Sequence, residues 1–295
     1  MTDIRITGKT RLCGLIGDPV EHTMSPAMHN AAYRQMGLDY VYVPFRVRAE
    51  ELGKAIDGMR TFNIRGLNVT IPHKVAVIPF LDKLDPLAER IDAVNTIINE
   101  NGVLTGYNTD AHGFLRALLE KGVEPRGKKA LILGAGGASR AISHILADSG
   151  VERIIILNRA EELDWAYELA GNISQLYNMD VKAGELNRES LDSVMERIDI
   201  SILVNATSVG MTPDADGTPV DADLLRTGLA VFDVVYNPLR TQLLRDAEAA
   251  GAETISGIEM LVWQGVLAFE KCTGQEAPLD LMRNEAIRQL NEHEE

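Results

Sequence analysis

Cysteine is nearly absent: two occur in 295 residues, Cys13 and Cys272, each among apolar neighbours and outside any CxxC pair. That argues against a disulfide-stapled scaffold and against a thiolate metal site, and both read as buried thiols. His22, His29, His73, His112 and His144 show no metal-ligand spacing, so no metal is expected. Positive charge is also scarce, with 29 Lys and Arg against 43 Asp and Glu, a formal −14. A nucleic-acid binder needs a basic face for phosphates, and a protein docking on anionic lipid needs one too. Neither class fits. An anionic small molecule would have to be met by a few local donors against the overall field. No apolar run approaches the ~18 residues of a membrane span. The opening MTDIRITGKTR lacks signal-peptide form, so a cytoplasmic location is expected.

What is present is the mixture of a soluble globular protein, 45% hydrophobic and 24% charged, long enough for about two domains. The first third reads as an α/β unit. Residues 11–17 form a buried strand. Ser25-Pro26 reads as an N-cap followed by proline at the first helical position, with Met28, Ala31, Ala32 and Met36 at helical spacing. Residues 40–46 are β-rich, Leu52, Ile56 and Met59 mark an amphipathic helix, and a strand over 65–70 ends at Pro72. Residues 95–99 and 103–106 flank Asn101-Gly102, a hairpin turn. Further on, apolar strands over 129–134, 153–158, 202–206 and 230–236 alternate with helical stretches, the first carrying Ala141, Ile142, Ile145 and Leu146. That alternation implies a parallel, doubly wound sheet. The last segment is helical from about Glu259 through Phe269, with another helix near the end. The expected fold class is α/β, a Rossmann-type doubly wound parallel sheet plus a smaller α/β substrate domain. Its divisions are 1–112 (catalytic), 113–256 (dinucleotide-binding) and 257–295 (C-terminal helices returning to the first domain).

The segment LILGAGGASR follows a strand and opens a helix, giving Gly134-x-Gly136-x-x-Ser139 with serine in the third place. Glycines allow the tight turn and a close approach to a pyrophosphate, and the helix N-terminus supplies free N–H groups. At the end of the second strand an NAD site carries Asp or Glu for the ribose hydroxyls. This chain has Asn158-Arg159, and a guanidinium suits the 2′-phosphate of NADP. Glu161 and Glu162 follow and would repel a phosphate. NADP is the expected cofactor, with NAD as the alternative.

Four polar motifs in the first third resist a purely structural reading: His22-Thr23-Met24-Ser25-Pro26, Asn68-Val69-Thr70-Ile71-Pro72-His73-Lys74, Ala93-Val94-Asn95-Thr96 and Gly106-Tyr107-Asn108-Thr109-Asp110. Each lies at a strand end or a helix start, where α/β folds gather binding residues. Lys74 and Asp110 are the best acid/base candidates. The bland readings are Ser25 as a helix cap, Asp110 as a cap for a helix starting near Ala111, Asn95 as a turn residue, and Lys74 as a solvated amine.

Together with G-A-G-G-A, N-R, Asn205-Ala206-Thr207-Ser208-Val209-Gly210-Met211 and Gly257-Ile258-Glu259-Met260-Leu261-Val262-Trp263-Gln264-Gly265, these motifs resemble those of the shikimate dehydrogenase family, in the same order across nearly the whole chain. The resemblance implies reversible NADP-dependent reduction of 3-dehydroshikimate to shikimate, in the pathway to aromatic amino acids. It implies that Thr23 and Ser25, helped by Tyr236, bind the substrate carboxylate, and that Thr70, Asn95 and Gln264 hold ring hydroxyls. Lys74 and Asp110 would be the catalytic pair, both also touching substrate. Gly134, Ala135, Gly136, Gly137, Ala138, Asn158, Arg159, Thr207 and Met260 would line the cofactor site. The partner is then a small molecule, shikimate or 3-dehydroshikimate, and a homodimer is compatible with this reading. Two departures stand out. Thr23 replaces the usual serine, and an added methyl can change preference among ring acids by ~1–3 kcal/mol. Asn158-Arg159-Ala160-Glu161-Glu162-Leu163 lacks the threonine and second base of many NADP-specific members. Both features favour, as an alternative, a quinate/shikimate dehydrogenase using NAD or NADP. A more distant alternative is a non-catalytic Rossmann ligand sensor, which would not need the Lys74–Asp110 pair.

Overall fold

The computed structural model describes residues 6–294. Contacts divide the chain into two compact units, one built from the chain up to Gly113 and from Val262 onward, the other from Phe114–Leu261. Both divisions fall inside helices. The units are nearly equal in length, because the chain after Val262 adds to the first. The expected smaller domain is therefore not smaller.

The first unit opens with β1 (Arg11–Gly17), α1 (Ser25–Gln35), β2 (Tyr40–Arg46), α2 (Leu52–Thr61) and β3 (Gly66–Val69). It continues with the single turn α3 (His73–Ala76), β4 (Lys83–Leu84), α4 (Pro86–Ile91), β5 (Thr96–Glu100), β6 (Val103–Tyr107) and the start of α5 (Thr109–Glu120). Its six strands run in the order β2-β1-β3-β5-β6-β4. The first three are mutually parallel, and the β5–β6 hairpin joins antiparallel at β3. Asn101 and Gly102 both adopt positive φ at its turn, as a two-residue hairpin connection demands. Ile16, Ile56, Met59, Leu67, Val69, Ile97 and Leu104 form the core against α2.

The second unit holds β7 (Lys129–Leu133), α6 (Gly137–Asp148), β8 (Arg153–Asn158), α7 (Leu163–Tyr177), β9 (Val181–Glu185), α8 (Arg188–Arg197), β10 (Ile202–Asn205), β11 (Ala230–Asp233), α9 (Gln242–Ala249) and β12 (Glu253–Ser256), and then the start of α10 (Gly257–Thr273). Its strand order is β12-β11-β10-β7-β8-β9, all parallel. This is the doubly wound arrangement, with the strand order reversing between β7 and β10. Alternate strand residues feed two cores. Leu131, Leu133, Ile155, Leu157, Leu203 and Val231 pack with α8 and α9, while Ile132, Ile154, Ile156 and Val204 are buried on the other face. Burial on both faces explains the near-continuous apolar strands.

The rest of the chain, α10 beyond Val262 and α11 (Leu279–Glu294), belongs to the first unit, where α11 packs on α1. Gly265 puts no side chain in the way where α10 passes Met28 of α1. Cys13 and Cys272 are buried free thiols with their sulfurs 2.7 Å apart, and the Arg65 guanidinium donates to the Cys272 carbonyl. Among the described residues no helix is long and apolar enough to cross a membrane.

Candidate active site

In the first unit the polar motifs collect at the carboxyl end of β3, the approach to β5 and the first turns of α1 and α5. Lys74 lies in α3, two residues after Pro72. Its Nζ donates to Asp110 Oδ2 at 2.7 Å, with the two side chains 33% and 17% exposed. Lys74 is therefore not a solvated amine. It is a partly shielded charge held by a carboxylate, still open to a ligand. The main chain under it is fixed, because Val94 N donates to the Lys74 carbonyl and the adjacent His73 ring is buried against Val47 O.

Asp110 sits in the first turn of α5 but does not cap it. Asn108 Oδ1 accepts from Ala111 N at 3.1 Å, while its amide donates to Ala93 O. The expected Asp110 cap is corrected. Asn108 is the residue outside the helix, where a side-chain oxygen can reach back to the third N–H, and this leaves the Asp110 carboxylate to Lys74.

The expected Ser25 cap is corrected as well. α1 begins at Ser25, preceded by Met24 with already helical backbone (φ −86°, ψ −10°) and no side-chain capping bond, whereas a capping residue needs extended backbone. Pro26 does lie in the first turn. Ser25 instead is buried within hydrogen-bonding reach of Tyr42, and its N–H points at Thr23 Oγ1 at 3.4 Å.

Behind these groups runs a buried polar network. Tyr42 Oη donates to Asn68 Oδ1 at 2.7 Å, and Asn68 Nδ2 donates to Thr96 Oγ1 and to the Asn95 carbonyl. Asn95 Oδ1 accepts from Thr109 N at 2.7 Å and from the hydroxyls of Thr109 and Thr96. Asn95 is thus a buried acceptor that holds the start of α5, not a turn residue, and its amide makes no hydrogen bond within the described residues. Burial pushes the Tyr42 phenol well above its ordinary range, so it stays a neutral donor. Thr70 continues from β3, its N–H bonded to the Ile16 carbonyl beside the end of β1. Gln264 is nearly buried on α10. Tyr42, Asn68, Thr96 and Thr109 were not singled out by sequence. Three of them lie inside the motifs, while Tyr42 looks like any aromatic strand residue.

In the second unit the glycine turn lies at the point where the strand order reverses. Gly134 has φ +98°, and a Cβ there would stand 2.9 Å from Ala206 O and 3.1 Å from Thr207 Cγ2. Glycine is needed both for the backbone and for the close approach of the two loops. A Cβ on Gly136 or Gly137 would meet nothing, so these glycines leave open space. α6 starts after Gly136 with no side-chain cap. Its first N–H groups, beside that space and next to Ala135 and Ala138, suit a pyrophosphate. Ser139 is fully buried where the third glycine packs helix on strand. Asn158, at the end of β8, uses its amide to hold the Glu162 carbonyl at 2.7 Å, and Arg159 is exposed and ion-paired with Glu162.

A second network, invisible in the sequence, supports the neighbouring loops. Asp233 accepts from Asn205 Nδ2 (2.9 Å), Val235 N (3.1 Å) and Thr241 Oγ1 (2.6 Å). Asn205 Oδ1 in turn accepts from the Thr207 hydroxyl at 2.6 Å. Thr207 is therefore aimed from below. Tyr236 lies exposed just past this network, and Met260 is half-buried near the start of α10. At Gly257 a Cβ would come 2.2 Å from the Val234 carbonyl, which locks the start of α10 to the same loop. Among the described residues no group of three or more His, Cys, Asp or Glu could hold a metal ion.

A doubly wound sheet with an uncapped helix behind a glycine turn, and a Lys–Asp pair in a bed of hydroxyls and amides, define a dinucleotide-dependent oxidoreductase. Residues 15–97 match the family described as shikimate dehydrogenase substrate binding domain, and residues 257–287 match the shikimate 5'-dehydrogenase C-terminal domain. The chain is 47% identical over 292 residues to shikimate dehydrogenase (NADP(+)) of Desulforamulus reducens, covering 98% of this chain and 99% of that one. It is 48% identical over 289 residues to the protein of the same name from Methanopyrus kandleri, covering 97% and 98%. The crystal structure of shikimate 5-dehydrogenase from Listeria monocytogenes, in complex with shikimate and NAD, is 43% identical with a TM-score of 0.91, covering 96% of this chain and 98% of that one. The chain belongs to the shikimate dehydrogenase family.

Proposed function

We infer that the chain is an NADP-dependent shikimate dehydrogenase, reversibly reducing 3-dehydroshikimate to shikimate. The observation that carries the reading is the 2.7 Å Lys74–Asp110 pair, whose lysine lies within the family-matched residues 15–97. The bound nicotinamide cofactor supplies the hydride in reduction and takes it in oxidation. The residues 1–112, with the returning helices of 257–295, serve the substrate, and 113–256 serves the cofactor. The cofactor is held by the turn Gly134, Ala135, Gly136, Gly137 and Ala138, with Asn158, Arg159, Thr207 and Met260 around it.

Lys74 donates its proton to the carbonyl oxygen as negative charge develops there, and takes one back in oxidation. An amine held at 2.7 Å by a carboxylate, with N–H groups left for a ligand, suits the donor role. Asp110 holds the ammonium in place. Thr23 and Ser25, with Tyr236, meet the carboxylate, and Thr70, Gln264 and the amide of Asn95 meet ring hydroxyls. A sensor would gain nothing from a lysine held by a carboxylate in this way. A cytoplasmic setting and a homodimeric state belong to the same reading.

Steady-state kinetics of Lys74→Ala and Asp110→Asn test it. Lys74→Ala should lower kcat by ~10²-fold or more, and the double variant should be far less impaired than the product of the single effects. NADP affinity, read by fluorescence titration, should hardly change. Near-normal turnover in Lys74→Ala would overturn the assignment. Quinate turned over faster than shikimate by the wild type would move the chain to the quinate/shikimate branch.

A further inference from the structure

The Arg159 guanidinium is exposed, its side chain 65% accessible, as a phosphate ligand should be, but it is already occupied. Glu162, three residues on and 26% accessible, accepts from Arg159 Nη2. The partner is brought back by the main chain. Glu162 N donates to the Arg159 carbonyl at 3.1 Å, closing a tight turn. Buried Asn158 donates its side-chain amide to the Glu162 carbonyl at 2.7 Å and anchors that turn to the end of β8. The carboxylate is therefore delivered to the guanidinium by an anchored turn, not by a chance meeting of two long side chains. Each charge stabilises the other: Glu162 is held below the ordinary carboxylate range by Arg159, and Arg159 is raised by Glu162, with Glu161 adding a smaller effect. Among the described residues neither Arg159 nor Glu162 has a second ion-pair partner.

We propose that Glu162 is a specificity-determining residue, an internal competitor that occupies Arg159 and must be displaced by the 2′-phosphate of NADP but not by NAD. The inference rests on the reading of Arg159 as the phosphate ligand. A guanidinium fork engages a carboxylate and a phosphate through the same in-plane donors, so the two acceptors compete for it. A phosphate monoester near neutral pH carries about −1.5 to −2, so the displaced carboxylate, still tethered by Asn158, also repels its replacement. NAD brings free ribose hydroxyls in place of the phosphate. It bears no part of this penalty, and an acidic side chain at the end of the second strand suits those hydroxyls. The pair thus pulls a site built for NADP back toward indifference between the two cofactors.

Equilibrium titration of the cofactor-free protein with NADP and with NAD, followed by protein fluorescence, tests the proposal without any turnover. Glu162→Gln keeps the size of the side chain and both main-chain hydrogen bonds, so folding is not at issue. It should tighten NADP binding about threefold to fivefold, within the range open to a surface ion pair, while NAD changes by less than roughly twofold. The gain should shrink as salt rises toward ~1 M, where screening is short-ranged. In an Arg159→Ala background the same substitution should no longer favour NADP. If Arg159→Ala lowers NADP affinity selectively but Glu162→Gln leaves the NADP-to-NAD ratio unchanged, competition by Glu162 is refuted and the phosphate reading survives. If Arg159→Ala weakens both cofactors equally, the phosphate reading itself falls. A gain for Glu162→Gln that persists without Arg159 would also overturn the proposal, since it would reflect general repulsion rather than an occupied guanidinium.

Discussion

Replacing Asp233 with asparagine should change how the stability of the second unit depends on pH. Burial pushes this carboxyl up to about 6 from 3.8, against the donors of Thr241, Val235 and Asn205 that pull it down. The folded state then holds its proton more tightly than the unfolded chain, so between the two values it carries more protons and stability falls as pH rises. The contribution is complete below about 3.8 and lost as pH passes through about 6. That interval is worth ~3 kcal/mol, of which about 1.4 kcal/mol falls between pH 5 and 8. Asparagine has the same shape and cannot titrate. Its oxygen can still accept from Asn205 and Val235, and the Thr241 hydroxyl can turn to accept from the new amide. The stability of wild type minus variant should therefore drop by ~1.4 kcal/mol from pH 5 to pH 8. Urea denaturation followed by Trp165 fluorescence measures it, in a Trp263→Phe background so that the remaining tryptophan reports on the unit Phe114–Leu261. A difference that stays constant across pH would refute the claim that burial governs this carboxyl.

Ser25→Ala should raise the shikimate KM by ~10-fold, the effect of losing about 1.4 kcal/mol of hydrogen bonding, with a stability loss no larger than the ~0.5–1.5 kcal/mol of its contact with Tyr42, because the hydroxyl caps nothing. A larger loss of stability at unchanged KM would restore the capping role. Asn108→Ala removes the α5 cap and a bond to Ala93 O, so it should cost ~0.5–2 kcal/mol in denaturation. It should also lower kcat by loosening Asp110, and an unchanged kcat would show that α5 is held by Asn95 alone.

Sequence reading reached the central parallel strands, because β7, β8, β10 and β11 are buried on both faces and appear as apolar runs. It passed over β9 and β12. Edge strands need bury only part of their surface, and VKAGE and ETIS carry no such run. The glycine turn and the Lys74–Asp110 pair were legible because their chemistry constrains residue type. The two caps were not. Ser25-Pro26 has the local pattern of an N-cap, and Asn108, Thr109 and Asp110 can all cap a helix, so the backbone that decides among them is set by packing. Asp233 and Tyr42 were hidden for another reason. Each sits within a β-rich strand pattern, and its polar role exists only through partners as distant as Asn205 and Asn68.

The first unit is discontinuous, and that orders events during synthesis. Its six-stranded sheet emerges from the ribosome early, yet α11, which covers α1, and Cys272, whose carbonyl holds Arg65, come last. The intervening Phe114–Leu261 takes on the order of 10–30 s to make at ordinary elongation rates. Through that interval the face of α1 lacks its cover, while the later, contiguous unit can close its own core as soon as β12 is out. The growing chain therefore completes its middle before its beginning. A chain cut short by its last two helices would leave the unit bearing Lys74 unfinished, although the missing residues lie nearly 200 positions away in sequence.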